Sequence, residues 1–278
     1  MIPRVATRRL PALPAPLAPV AVALGVASMY GIIGISGHLG IRPLLVLSEA
    51  ALVLPGLALL VLLERPLAEA LALRPVGGRT ALLAVLCGGS LWALSLGIFE
   101  LQYVVWPPPE GFLEGFRRLH EALRPAGPVD ALVSIAAIAL MPAAAEEMLF
   151  RGVVVGALVP LGRAATVVAS AVLFGLIHLD VSSTGVPAFY RAPFAIVVGS
   201  VLAALRLRTA SLIPAILAHA TLNVITFTVA PWMAESGPGA PPAQPLLGAA
   251  LLFGGGAMTL GLLARMRVGP SVGSTLDS

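Results

Sequence analysis

Eight long apolar runs, separated by short polar or Pro/Gly-rich stretches, decide what this chain can fold into. They fall at about 17–35, 44–63, 80–106, 131–159, 165–179, 192–205, 211–232 and 246–264. Crossing a hydrocarbon core of ~30 Å takes about 20 apolar residues in a helix. Lipid offers backbone N–H and C=O groups no partner, so runs of this kind predict helices. The expected fold is all-α: a polytopic transmembrane helix bundle of about eight spans. The composition agrees, with 58% hydrophobic and only 11% charged residues, against about 25% charged in a soluble domain. The fourth run is overlong, and Pro142 is expected to kink it. The fifth and sixth are short. The organisation reads as a cytosolic N-terminal tail (1–16), one transmembrane domain (17–265) and a C-terminal tail (266–278). Residues 233–245 read as a Gly/Pro-rich loop. The first three runs are expected to be almost bare of polar residues.

Charge narrows the function classes. All 17 basic residues are arginines, against 13 acidic ones, for a net charge of +4. They stand singly or in pairs between apolar runs, as membrane-flanking charges do, with no basic patch interleaved with aromatics. Nucleic acid is not an expected partner. With the N-terminus in the cytosol, inner segments hold eleven arginines and outer segments five, counted from the eight runs and leaving out Arg151. The positive-inside rule then puts both termini in the cytosol. The N-terminal stretch resembles a signal peptide only weakly, because Pro11, Pro14, Pro16 and Pro19 interrupt it. A single cysteine, Cys87, can form neither an internal disulfide nor a Cys-based zinc site and reads as a packed residue. Between runs three and four, Phe112, Phe116, Leu119 and Leu123 recur on one helical face, with Glu114, Arg117, Arg118 and Glu121 on the rest. This stretch (111–124) either lies on the membrane interface or packs as a helical loop on the bundle.

Within the fourth run, AAAEEMLFRG places Glu146, Glu147 and Arg151 within six residues. An ionised group in the hydrocarbon core costs about 2.5–3.5 kcal/mol on insertion scales, so these groups need partners. Glu147 and Arg151 are four apart, share a helical face and can pair. Glu146 lies about 100° round the helix and is left for chemistry or for another helix. A purely structural ion pair would explain Glu147 and Arg151 but not Glu146. Run five carries Phe174 and His178 one turn apart. Run seven carries His219 and Asn223, again four apart on one face. His38 and His120, near run ends, read as interface residues. Two Glu, two His and one Asn on three helices suit the activation of water against a carbonyl. A desolvated Glu can act as general base, a His can share or pass the proton, and a second His with an Asn amide can donate to the oxyanion. Glu146, His178 and His219 could instead hold a catalytic zinc, although no HExxH pair makes zinc specific.

EEMLFR (146–151), FGLIH (174–178) and HATLN (219–223) resemble the EExxxR, FxxxH and HxxxN motifs of the CPBP intramembrane proteases, the family of CAAX prenyl endopeptidases and bacteriocin-processing (Abi) proteins. The resemblance covers about residues 130–225, the motif core. LALRPVGGR (71–79) also resembles a loop upstream in bacterial members. The resemblance implies a helical membrane endopeptidase acting on a membrane-associated protein or peptide. Carried over by motif, Glu146 is the water-activating glutamate, Glu147 its neighbour and Arg151 the motif arginine. His178 is the catalytic histidine, Phe174 precedes it by a turn, and His219 with Asn223 is the pair that stabilises the oxyanion. The family has been described both as metalloproteases and as metal-free glutamate enzymes. The expectation is no cofactor, with zinc as the alternative. A bacterial inner-membrane protein is expected, with a sorting-tag (myxosortase-like) member as one form of the resemblance. A non-catalytic membrane scaffold or bacteriocin-immunity protein on the same fold is the competing class. The substrate and oligomeric state are left open.

Overall fold

The computed structural model describes residues 12–108, 112–178, 180–181, 187–188, 190–234 and 244–266. Nine helices carry the fold among them. They are α1 (Leu17–Ser36), α2 (Ile41–Leu62), α3 (Gly78–Val105), α4 (Phe112–Ala122), the composite helix α5 (Pro128–Leu161), α6 (Arg163–Ile177), α7 (Ala192–Thr209), α8 (Ile213–Ala234) and α9 (Pro245–Arg265). One helical turn, Leu67–Ala70, links α2 to α3, and a two-residue antiparallel pairing (Asp180–Val181 with Pro187–Ala188) follows α6. Six of the helices are long and apolar enough to cross a membrane, and the segments Arg163–Ile177 and Ile213–Val229 are shorter apolar helices. These eight elements coincide with the eight apolar runs. The protein is an integral membrane helix bundle.

The fourth span is not simply a helix kinked at Pro142. Its backbone passes from α-helical to π-helical hydrogen bonding twice, at Ala136–Leu140 and Met148–Val154, on either side of an α-helical stretch, Met141–Glu147. Pro142, which has no N–H to donate, stands second in that α-helical stretch, directly after the first π segment. Both glutamates therefore lie on a short α-helical piece bracketed by π segments, an irregularity frequent at functional sites.

Helix α5 is the hub. It packs against α1, α2, α6, α7 and α8, while α3 packs on α8 and α9, and α6 on α7. Small residues permit these approaches: a Cβ at Gly88 of α3 would collide with the Ala218 carbonyl of α8, one residue from His219. The two ends of the bundle are distinct. At one end Arg42 pairs with Asp130 at 2.9 Å, and Tyr190 packs edge-on to Phe99, Trp106 and Phe112. At the other, the Leu212 N–H donates to the Ala72 carbonyl, Ser211 donates to the Arg74 carbonyl, and Arg208 donates to the Ala264 and Met266 carbonyls.

The tail boundaries shift slightly. Leu13, placed in the N-terminal tail by the sequence, belongs to the apolar core beside α5, and Met266 is buried. Residues 1–11, 267–278 and most of the 233–245 loop lie outside the described residues. Helix α4 is docked on the bundle. Phe112 stacks on Phe99, His120 stacks on Phe227 of α8 at 5.8 Å between ring centroids, and Leu123 is fully buried. Its outer face is charge-paired, Arg117 and Arg118 sharing Glu114, and these guanidiniums, Arg118 foremost, hold the Glu114 carboxyl below its usual range.

Candidate active site

The three motif segments meet around the Met141–Glu147 stretch of α5. The two glutamates, adjacent in sequence, point to different surroundings. Glu147 is fully buried and paired: Arg151 Nη1 donates to its Oε1 at 2.9 Å, with neither side chain exposed. His219 Nδ1 lies 2.9 Å from the same oxygen. Arg151 is held from three more sides. Its Nη2 donates to the Gly199 carbonyl of α7 at 3.0 Å, and its guanidinium carbon lies 4.4 Å from the Phe174 ring centroid and 5.8 Å from that of Phe150. Gly199 cannot easily carry a side chain, because a Cβ there would stand 3.1 Å from the Phe174 ring and 3.4 Å from Arg151 Nη2.

Glu146 faces two imidazoles instead. Its Oε2 lies 4.0 Å from His178 Nε2 and 4.0 Å from His219 Nε2, and this buried oxygen makes no direct hydrogen bond among the described residues. The partners of the rings assign their protons. His178 Nδ1 is 2.8 Å from the Phe174 carbonyl, so Nδ1 carries the hydrogen. His219 Nδ1 faces a carboxylate already engaged by Arg151, so it too is the donor. Both rings in their neutral form therefore turn the Nε2 lone pair toward Glu146.

Phe174 joins these parts. Its ring centroid is 4.5 Å from that of His178 and 6.0 Å from that of His219, its face meets Arg151, and its carbonyl fixes the His178 tautomer. Asn223 stands one turn beyond His219 on α8, its amide 3.5 Å from the Ala139 carbonyl in the first π segment, a long contact that leaves the amide able to turn. Glu146, Glu147, Arg151, Phe174, His178, His219 and Asn223 thus lie on three neighbouring helices, gathered at one level. His178 ends α6 at the same end of the bundle as Tyr190 and α4. His38 and His120 are elsewhere, in the α1–α2 turn and on α4.

The expectation that the first three spans are almost bare of polar groups fails in α2. Glu49 stands mid-helix, one carboxyl oxygen is buried without a hydrogen-bond partner among the described residues, and the group lies within electrostatic reach of Glu146. A lone Glu in an apolar run is the one sequence signal that points to it. Arg191, which caps the start of α7, is also within electrostatic reach of Glu146 and His178.

Residues 128–225 match the family model described as Rce1-like, type II CAAX prenyl endopeptidase Rce1-like. Neither the curated proteins nor the solved structures provide a match. The matched segment runs from the start of α5 to just past Asn223 and contains all three motifs. For that segment the match supports the resemblance to the CPBP intramembrane proteases.

Proposed function

We propose that the protein is an intramembrane endopeptidase that hydrolyses a peptide bond of a membrane-associated protein or peptide with water activated by Glu146, without a metal ion. The observation that carries this reading is the placement of Glu146 Oε2 at 4.0 Å from both Nε2 atoms. A water hydrogen-bonded at about 2.8 Å to two atoms 4.0 Å apart subtends about 90°, an accessible geometry. Zinc with bonds of about 2.0 Å needs tetrahedral donors about 3.3 Å apart. At 4.0 Å the same bonds would be nearly collinear, so Glu146, His178 and His219 as placed do not fit it. Among the described residues no group of three His, Cys, Asp or Glu is arranged to hold a metal ion.

In the proposed reaction the Glu146 carboxylate takes a proton from water as the oxygen bonds to the carbonyl carbon. His178 Nε2 accepts the other water hydrogen and orients the lone pair. The oxyanion is met by the Asn223 amide, and His219, fixed at Nδ1 by the Glu147 carboxylate, lines the same pocket beside the water. The C–N bond then breaks, and Glu146 returns the proton to the leaving amine. Glu147 and Arg151 do not touch the reacting atoms. They hold His219.

By the arginine asymmetry both termini lie in the cytosol of a bacterial inner membrane. The His178 end of α6 and helix α4 then lie at the outer face, and the substrates are exported or membrane-anchored polypeptides. A C-terminal sorting helix is one such substrate. Orientation is tested in a Cys87→Ala background. A cysteine replacing Leu39, in the exposed α1–α2 turn, should react with an impermeant thiol reagent on intact cells. Reaction only of a cysteine replacing Arg163 would invert the assignment. Activity is tested by comparing membrane-fraction peptides from cells making the wild type or Glu146→Gln at equal protein levels. Fragments present only with the wild type are expected. Identical peptide sets would favour a scaffold or immunity role.

A further inference from the structure

Glu49, half-buried with one carboxyl oxygen fully so, is an acid near this centre that the mechanism above does not use. Its position follows from two contacts that set the register of α2 against α5. Arg42 Nε donates to Ser134 Oγ and Arg42 Nη2 to Asp130 Oδ2, both at 2.9 Å. Two heptads further on, a Cβ built at Gly56 would lie 3.1 Å from Leu149 Cδ1 and 3.4 Å from Val153 Cγ2. Residues seven apart in an α-helix return to nearly the same face, so Arg42, Glu49 and Gly56 form one stripe, and that stripe faces α5. Glu49 lies midway between contacts at 130–134 and at 149–153, which sets it beside the Met141–Glu147 stretch. Its electrostatic interaction with Glu146 agrees. The Oε2 atom of Glu49 is buried and lacks a hydrogen bond among the described residues.

We propose that Glu49 is a positioning residue of the active site: its carboxyl hydrogen-bonds to that of Glu146 from the α2 side and fixes which Glu146 oxygen is turned toward His178 and His219. Two ionised carboxylates at short range in a low-dielectric interior repel strongly, and such pairs hold one proton between them. The other charged or titratable groups around Glu146 are already committed or turned the other way. Arg151 is bound to Glu147 and Gly199, His219 Nδ1 to Glu147, and His178 Nδ1 to the Phe174 carbonyl. Arg191 approaches from α7. A proton carried by Glu49 is therefore the donor on the side of Glu146 away from the water. The shared proton lets the two carboxyls stand side by side without burying a second negative charge.

This inference rests on the proteolytic reading, and its test separates the two. Cleavage of a substrate found by the peptide comparison is measured for the wild type, Glu49→Gln, Glu49→Met, Glu146→Gln and the double variant Glu49→Met/Glu146→Gln, with Tm recorded for each. Glu49→Met should lower kcat by about 10- to 100-fold with KM within about twofold, the scale of a lost orienting group. Its Tm should not fall, since an apolar side chain replaces a buried carboxyl. Glu49→Gln, which keeps a donor, should retain most of the activity, and the double variant should be no worse than Glu146→Gln. Wild-type kcat in Glu49→Met, or a fall in Tm that accounts for the loss, overturns the proposal and leaves the protease reading intact. If no substrate is cleaved, the protease reading fails. The proposal is then judged by infrared difference spectra, in which a protonated-carboxyl band should vanish in Glu49→Gln and shift in Glu146→Gln. A band indifferent to Glu146 overturns it.

Discussion

Glu146 and Glu147 are neighbours on one short α-helical stretch, yet the two sides of α5 treat them in opposite ways. On the Glu147 side the charges are paired: Arg151 and His219 both meet one carboxylate oxygen, Oε1, and Arg151 is clamped by Gly199 and Phe174. On the Glu146 side Oε2 faces two imidazole nitrogens, each 4.0 Å away and neither close enough for a direct bond. A buried ion pair is a scaffold, because moving a proton through it would strand a buried charge. A carboxyl facing lone pairs at one water's reach is a site for chemistry. The proposed mechanism depends on keeping these two environments about 100° apart on one helix.

The comparison can be broken from the ion-paired side first. Glu147→Gln leaves Arg151 without its charge partner, and breaking one side of a buried pair costs about 3–5 kcal/mol. Thermal unfolding in detergent should show a large fall in Tm, with activity lost alongside it. His178→Ala leaves the fold in place and removes the water's second anchor. Its kcat should fall about 100-fold at near-normal Tm, within the range for a positioned acid–base group. Phe174→Leu removes the ring over Arg151 and the face against His178, a loss of about 1–2 kcal/mol in stability. Its kcat should fall less than that of His178→Ala. The smallest effect expected is none: strong chelators should leave cleavage in detergent unchanged. Activity lost to a chelator and restored by zinc or cobalt would overturn the metal-free mechanism.

Most of the centre was legible in the sequence because charge in a membrane is conspicuous. Glu147 and Arg151 declare their pairing by a spacing of four, and His219 and Asn223 share a face for the same reason. What spacing could not tell is that His219 leans on Glu147 through Nδ1, a contact across 72 positions that decides which ring nitrogen carries hydrogen. Glu49 was obscured for a related reason. It has no polar neighbour at helical spacing except Ser48 beside it, whose hydroxyl turns back to the Leu45 carbonyl, and its counterpart lies on another helix. The π segments around Met141–Glu147 leave no mark in composition, since a hydrogen-bond offset of four or five suits the same apolar residues. Pro142 correctly flagged an irregular span but not its form. The register of α2 on α5 rests on Arg42 and Asp130, residues that read singly as flanking charges.

The central claim is that the two glutamates divide chemistry from support, and one paired measurement tests it most directly. Glu146→Gln and Glu147→Gln are purified together, and each is assayed for cleavage and thermal unfolding. Glu146→Gln should retain the wild-type Tm and lose activity by about 1,000-fold or more, the scale of a lost general base. Glu147→Gln should lose stability as well. Equal losses of activity at equal Tm would show that the two carboxylates act as one unit and would contradict the division.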